Sequence, residues 1–493
     1  MKVPARKLFP KTSTGIEGLD EITEGGFPQG RPTLICGSAG CGKTLLSMQF
    51  LVKGILDHDE PGVFMSFEEP AKDLITNVRS LGFDLNKMVK GNKLRIDHVH
   101  VERSEIQETG EFDLEGIFIR LNYAIDSIGA KRVVLDTIES LFSGIDNATV
   151  LRSEIRRLFQ WLKDKGVTAI ITGERGENSL TRQGLEEYVS DCVILLDFRV
   201  IEQIATRRLR IVKYRGSTHG TNEYPFLIDQ DGISVLPVTS LKLDHGVSTS
   251  IVSTGLPDLD KLFSRKGIFR GSSILITGSA GTIKTTLASY FAAASCKRKE
   301  KVLFFSFEES PDQLVRNMRS IGIDFSPYIR SGYLRIHASR PSLQGLEMHL
   351  LVLHKLIREF QPDTVIIDPI SSLVTIGSIV EVRAMLIRLM DILKTNQINT
   401  VFTALTHEKS PTHSDPTVDA VSSLADTWIK VRNEEEVGDR LRTLFVVKSR
   451  GMAHSNELWN ISIDEKGVTL GKFKGVNRQE MQTSNKRQTN SKE

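Results

Sequence analysis

A series of motifs in this chain occurs twice, in one order. TGIEGLD at 14–20 returns as TGLPDLD at 254–260, and the glycine-rich GSAGCGKT at 37–44 as GSAGTIKT at 278–285. FMSFEEP at 64–70 returns as FFSFEESP at 304–311, and LITNVRSLGFDL at 74–85 as LVRNMRSIGIDF at 314–325. VVLDTIESL and VIIDPISSL surround Asp136 and Asp368, and KYRGSTH at 213–219 returns as KSRGMAH at 448–454. A shared offset of about 240 residues is too long for a solenoid repeat. It is the length of a duplicated domain, each copy able to bury its own core.

Each copy reads as α/β. PTLICG (32–37) and SILITG (273–278) are short apolar runs ending in Gly, and a helical pattern follows each. VVLD, VIID, TAIITG (168–173) and NTVFTAL (399–405) add further apolar runs. Strands alternating with helices imply a mostly parallel sheet covered on both faces. The expected division is 1–242 and 243–475, with the join near the polar stretch 237–250 and a disordered polar tail over 476–493.

Composition narrows the class. Of 493 residues, 40% are hydrophobic and 25% charged, as in globular proteins. No apolar run approaches the roughly 18 residues of a membrane span. The start MKVPARKLFP has no apolar signal segment, and four Cys without metal-ligand spacing suit a cytoplasmic protein. A net charge of +3 argues against nucleic acid as a partner held by bulk electrostatics.

The glycine-rich stretches carry the chemistry. G-x-x-x-x-G-K-[ST] between strand and helix is a phosphate-binding loop, whose N–H groups and helix start attract anions. In the first copy it comprises Gly37, Ser38, Ala39, Gly40, Cys41, Gly42, Lys43 and Thr44. Lys43 would reach the β- and γ-phosphates, while Thr44 and Asp136 would hold Mg²⁺. The second copy has Gly278, Ser279, Ala280, Gly281, Thr282, Ile283, Lys284 and Thr285, with Asp368 as its acid. Ile283 stands where the motif has Gly. A β-branched residue at positive φ is an outlier, so a working loop is expected to hold residue 283 at negative φ, its side chain turned from the phosphates.

Two further patterns have competing readings. Glu68-Glu69 and Glu308-Glu309 are expected to end apolar strands and could orient a nucleophile toward a γ-phosphate; acids before Pro are also ordinary helix-start residues. Lys213 and Arg215, like Lys448 and Arg450, are spaced to leave one face of a strand. They could reach a neighbouring subunit's phosphates, or simply be solvated within the basic run RRLRIVKYR (207–215).

Duplicated P-loops, the twin SFEE acids, the K-x-R-G-x-x-H strands and GTNEYPF (220–226) together resemble the KaiC family of circadian clock ATPases, over about residues 10–470. The resemblance implies two RecA-like P-loop NTPase domains, stacked as two tiers of a homohexameric ring with ATP and Mg²⁺ between subunits. It implies a steady ATPase in the first tier and an autokinase and autophosphatase in the second. Lys43, Thr44 and Asp136 match the first phosphate and metal site, Glu68 and Glu69 its catalytic acids, and Lys213 and Arg215 the groups supplied by the adjacent subunit. Lys284, Thr285, Asp368, Glu308, Glu309, Lys448 and Arg450 match likewise. Ser422-Ser423, in VSSLAD, align with the serine and threonine phosphoacceptors and Thr417 with a transient third, whereas the first copy has Glu187-Tyr188 there.

The departures are Ile283, Ser423 in place of Thr, Thr375 in place of an arginine, and a tail unlike the segment that binds the family's partner KaiA. Kai-type or other signalling proteins are the expected partners, in a clock or another signalling role. A nucleic-acid motor of the same superfold, and a nucleotide-gated scaffold without turnover, are the alternatives.

Overall fold

The computed structural model describes residues 9–99, 114–142, 147–176, 180–181, 184, 190–201, 204–237, 246, 248–406, 418, 421–436 and 439–473. Thr417, Glu187, Tyr188, most of the join and the tail from 474 lie outside them. The chain divides into two compact units, Met1–Ser240 and Leu241–Glu493.

The apolar runs become the centre of each sheet. In the first unit the strands are β1 (Pro32–Gly37), β2 (Gly62–Ser66), β3 (Leu94–His98), β4 (Arg132–Asp136), β5 (Thr168–Glu174), β6 (Cys192–Ile201), β7 (Ile204–Tyr214), β8 (Glu223–Asp229) and β9 (Gly232–Val235). They form one sheet in the order β3-β2-β4-β5-β1-β6-β7-β8-β9. From β3 to β6 every pairing is parallel; from β6 onward every pairing is antiparallel.

The second unit repeats this with β10 (Ser273–Gly278), β11 (Val302–Ser306), β12 (Leu334–Ala338), β13 (Thr364–Asp368), β14 (Asn399–Leu405), β15 (Thr427–Glu436), β16 (Asp439–Ser449), β17 (Trp459–Asp464) and β18 (Gly467–Lys472), in the order β12-β11-β13-β14-β10-β15-β16-β17-β18. Both units are therefore α/β with mostly parallel sheets, as the alternating pattern requires.

Burial on both faces explains why these strands are almost continuously apolar. Alternate residues of β1 serve opposite faces. Ile35 packs with Leu46 and Phe50 of the helix Lys43–His58. Leu34 and Cys36 pack with Ile155 and Leu158 of the helix Ala148–Asp164. The loops that follow β1 and β10 emerge at the carboxyl ends of the parallel strands, where ligands bind in open α/β sheets. No described helix is long and apolar enough to cross a membrane.

Candidate functional site

In the first unit β1 ends at Gly37 and a helix starts at Lys43, capped by Gly42. Gly40 and Gly42 have φ of +72° and +107°. A Cβ on Gly42 would also lie 3.1 Å from the Ile228 side chain, which would have to give by a few tenths of an ångström to admit it. The Lys43 ammonium donates to the carbonyls of Gly37 (2.9 Å) and Ser38 (3.0 Å), which holds it over the loop. The Thr44 hydroxyl donates to Asp136 at 2.8 Å, and the Thr172 hydroxyl donates to the other carboxylate oxygen. Burial raises the Asp136 pKa, and these two hydroxyls oppose it. One hydroxyl and one carboxylate at a phosphate loop suit Mg²⁺, which takes few protein ligands and completes its shell with phosphate and water.

The second unit builds the same cluster around a different loop. Lys284 donates to the Ser279 carbonyl at 2.7 Å, and burial lowers its pKa while Asp368 and Glu308 oppose that. Thr403 donates to Asp368, and Thr285 also bonds that carboxyl. The expectation for Ile283 is corrected: it caps the helix Lys284–Lys297 in the left-handed region, at φ +57°. The chain geometry of a phosphate loop at this point is therefore retained with a β-branched residue in it. Its side chain is half-buried against the unit's own core, away from the loop mouth.

The repeat shows how the room arises. Around Gly42 the neighbours are Phe226, Ile228 and Ile233. The corresponding positions in the second unit are Ile461, Ile463 and Val468, two of them smaller. Ile283 packs against the core cluster that contains Ile461 and Val468.

The paired acids lie just beyond the strands rather than at their last residues, since β2 and β11 end at Ser66 and Ser306. Their two members differ. Glu68 accepts from the hydroxyls of Thr137 (2.8 Å) and Ser140 (2.6 Å), and Ser372 donates to Glu308 at 2.9 Å. Glu69 and Glu309 instead accept from Asn77 (3.4 Å) and Asn317 (3.0 Å) on the following helix. Glu68 lies near enough to Asp136, and both Glu308 and Glu309 near enough to Asp368, to help raise those carboxyls' pKa; Glu69 and Glu309 are also tied to the scaffold by those amides.

Lys213, Arg215, Lys448, Arg450, Ser422 and Ser423 are not brought to these clusters. Lys213 lies on β7, but the strand ends at Tyr214 and Arg215 lies beyond it. Its N–H donates to the Asp191 carbonyl at 2.8 Å, and its guanidinium lies 3.6 Å from the Asp191 carboxylate. Asp191 directly precedes β6, whose first residue Cys192 sits opposite Thr33 at the start of β1. Arg215 therefore occupies the amino end of the parallel sheet and the loop the carboxyl end. Six residues of strand separate them, about 20 Å at roughly 3.3 Å per residue.

Arg450 repeats this. Its N–H donates to the Asp426 carbonyl at 2.8 Å, and its guanidinium donates to the Ser423 carbonyl. The acceptor-position serines are thus held at the amino end with the cation. Burial, and next the nearby Arg450, lower the Lys448 pKa.

The groups that sequence reasoning missed are those that hold the candidates: Thr172 and Thr403, Ser140 and Ser372, Asn77 and Asn317, Asp191 and Asp426. All four pairs recur in register between the copies, and that recurrence was the available signal.

The KaiC ATPase family model matches residues 12–240 and again 252–474. This chain belongs to the KaiC family. It is 56% identical over 460 residues to the circadian clock protein KaiC2 of Synechocystis sp., covering 93% of this chain and 81% of that protein. It is 39% identical over 466 residues to the circadian clock oscillator protein KaiC of Synechococcus elongatus, covering 94% and 89%. The two units are KaiC-type ATPase domains, and a nucleotide-binding role follows for the family.

The volume exchange around residue 283 is testable as a double-mutant cycle. Val468→Ile should destabilise the second unit by about 1–3 kcal/mol through overpacking. Ile283→Gly together with Val468→Ile should recover most of that loss, giving a coupling of about 1 kcal/mol in denaturant unfolding of the full chain. Additive effects would contradict the exchange.

Proposed function

We propose that this chain hydrolyses ATP with Mg²⁺ at two kinds of site, each completed by the next copy of the chain in a homohexameric ring. The observation that carries this reading is the placement of the cations that recur in both copies. Arg215 and Arg450 stand at the opposite end of the sheet from their own loops, farther than an arginine side chain extends. In a head-to-tail ring the amino end of one unit can face the carboxyl end of the next, and closure of the ring fills every site.

The roles follow from the geometry. Lys43 and Lys284, with the loop N–H groups, bind the β- and γ-phosphates; Thr44 with Asp136, and Thr285 with Asp368, would hold Mg²⁺, which neutralises charge on the phosphates. Glu68 orients a water, held itself by Thr137 and Ser140. The water oxygen bonds to the γ-phosphorus as its proton passes to Glu68, the bond from that phosphorus to the β–γ bridging oxygen breaks, and ADP and phosphate leave. Lys213 and Arg215 of the adjacent copy stabilise the charge that develops.

In the second unit the proposal adds self-phosphorylation. The Ser423 carbonyl is held by Arg450, so a copy that offers Arg450 to its neighbour's triphosphate offers Ser422 and Ser423 as well. The serine oxygen would attack the γ-phosphorus, ADP would leave, and the proton would pass to Glu308 of the copy that carries the ATP. In the first unit the matching residues are Glu187 and Tyr188, outside the described residues, and neither is a serine. The relatives' names place them in circadian timing, and a clock or related signalling role with Kai-type partners is the corresponding reading for this chain.

Arg215→Ala should lower the first unit's turnover by roughly a thousandfold, with a much smaller effect on ATP affinity, as for a contact made in the transition state. Equal losses in both would make Arg215 a binding group only. Mass spectrometry after incubation with ATP should find phosphate on Ser422 or Ser423, and none after their joint replacement by Ala. Undiminished labelling of that variant would remove the acceptor assignment.

A further inference from the structure

The second unit contains a cavity of about 370 Å³ at the amino end of its sheet, beside the acceptor loop and distinct from the phosphate loop. Its walls include Phe269, Arg270, Lys394, Arg450 and Met452, with Thr249 and Ser272 at positions that prove decisive. The volume lies in the range of small-molecule sites, and Phe269 and Met452 are the apolar side chains of a lining that is otherwise glycine, polar or charged.

The first unit is an internal control for this place in the fold. There Phe9 occupies the position of Thr249, and Arg31 that of Ser272. The Arg31 guanidinium stacks 4.9 Å over the Phe9 ring and lies 3.7 Å from Asp191. A Cβ on Gly216 would come within 2.9 Å of the Phe9 ring, so that ring packs directly on the K-x-R-G turn. At the matching Gly451 such a Cβ would meet only Phe269, at 3.8 Å. Two large side chains that fill the first unit are thus replaced by two small ones in the second.

The charges at the site are also unbalanced. Lys394 lies 3.1 Å and Arg450 3.9 Å from Asp426. The other oxygen of Asp426 already accepts from the Ser273 N–H (2.9 Å) and hydroxyl (2.7 Å). Arg270 is paired with Glu300. Two cations therefore share one carboxylate on the cavity wall.

We propose that this cavity is a binding site for a small organic monoanion with an apolar, ring-sized body. The body lies against Phe269 and Met452 in the space that Phe9 fills in the first unit, and the anionic group is held by Lys394 and Arg450. Because Arg450 also holds the Ser423 carbonyl, an occupant would act on the acceptor loop. That consequence rests on the self-phosphorylation reading; the binding itself does not.

The test uses the full-length chain and anilinonaphthalene sulfonate, a fluorescent aromatic monoanion, against its neutral parent anilinonaphthalene. The sulfonate should bind saturably, and the neutral parent at least about tenfold more weakly. Thr249→Phe with Ser272→Arg, which installs the first unit's side chains, should weaken sulfonate binding at least about tenfold, and Thr249→Phe alone should weaken it in part. ATP turnover should be unchanged in both variants, which separates this test from that of the nucleotide sites. Sulfonate binding unaffected by the double change, or equal binding of the neutral parent, would overturn the proposal, whatever the turnover.

Discussion

Strand direction decides where this chain can place its charges. Six strands of each sheet run the same way and deliver the loop, its lysine, Asp136 or Asp368, and Glu68 or Glu308 to one end. The next strand must turn back, because it is joined to its neighbour by a short hairpin. It therefore carries Lys213 and Arg215, or Lys448 and Arg450, to the opposite end. There Asp191 and Asp426 fix the arginines at the first residues of the sheet. Nothing in the local chemistry of either end is unusual; the separation between them is what the proposed sharing of sites between copies rests on.

The duplication shows which features this arrangement needs and which it tolerates. The threonine on each metal-site acid, the hydroxyl on each first glutamate and the amide on each second glutamate occur in both units. The loop residue before the lysine does not. Gly42 and Ile283 adopt the same left-handed conformation, at a penalty of about 1–2 kcal/mol for the β-branched residue. That penalty is offset by apolar burial in a wall where Val468 replaces Ile233. A local rule is broken and compensated one layer away, so the loop keeps its shape.

Much of this was legible in the sequence. The α/β class followed from alternating apolar runs and helical patterns, and the paired loops from their motif. Lys43 with Asp136, and Lys284 with Asp368, met as the motif requires, because strand-end positions are set by the parallel order. The conformation of Ile283 was read wrongly, since a single-residue rule cannot see Ile461, Ile463 and Val468 arriving from distant strands. The strand-face argument for Lys213 and Arg215 failed for a similar reason: β7 ends at Tyr214, and its pairing with β6 shifts register near Val193. The roles of Asp191 and Asp426 needed the fold, for only the sheet brings them beside the arginines.

On the proposed function, one chain does not complete its own site. Mixing two inactive forms tests it most directly. One form carries Lys43→Ala and Lys284→Ala and lacks the phosphate lysines; the other carries Arg215→Ala and Arg450→Ala and lacks the opposite-end cations. If sites are shared between copies, ATP turnover returns when the two are mixed and allowed to exchange subunits, since some junctions then pair an intact loop with an intact arginine. Turnover that stays at the level of the separate variants after exchange has been verified would contradict the claim.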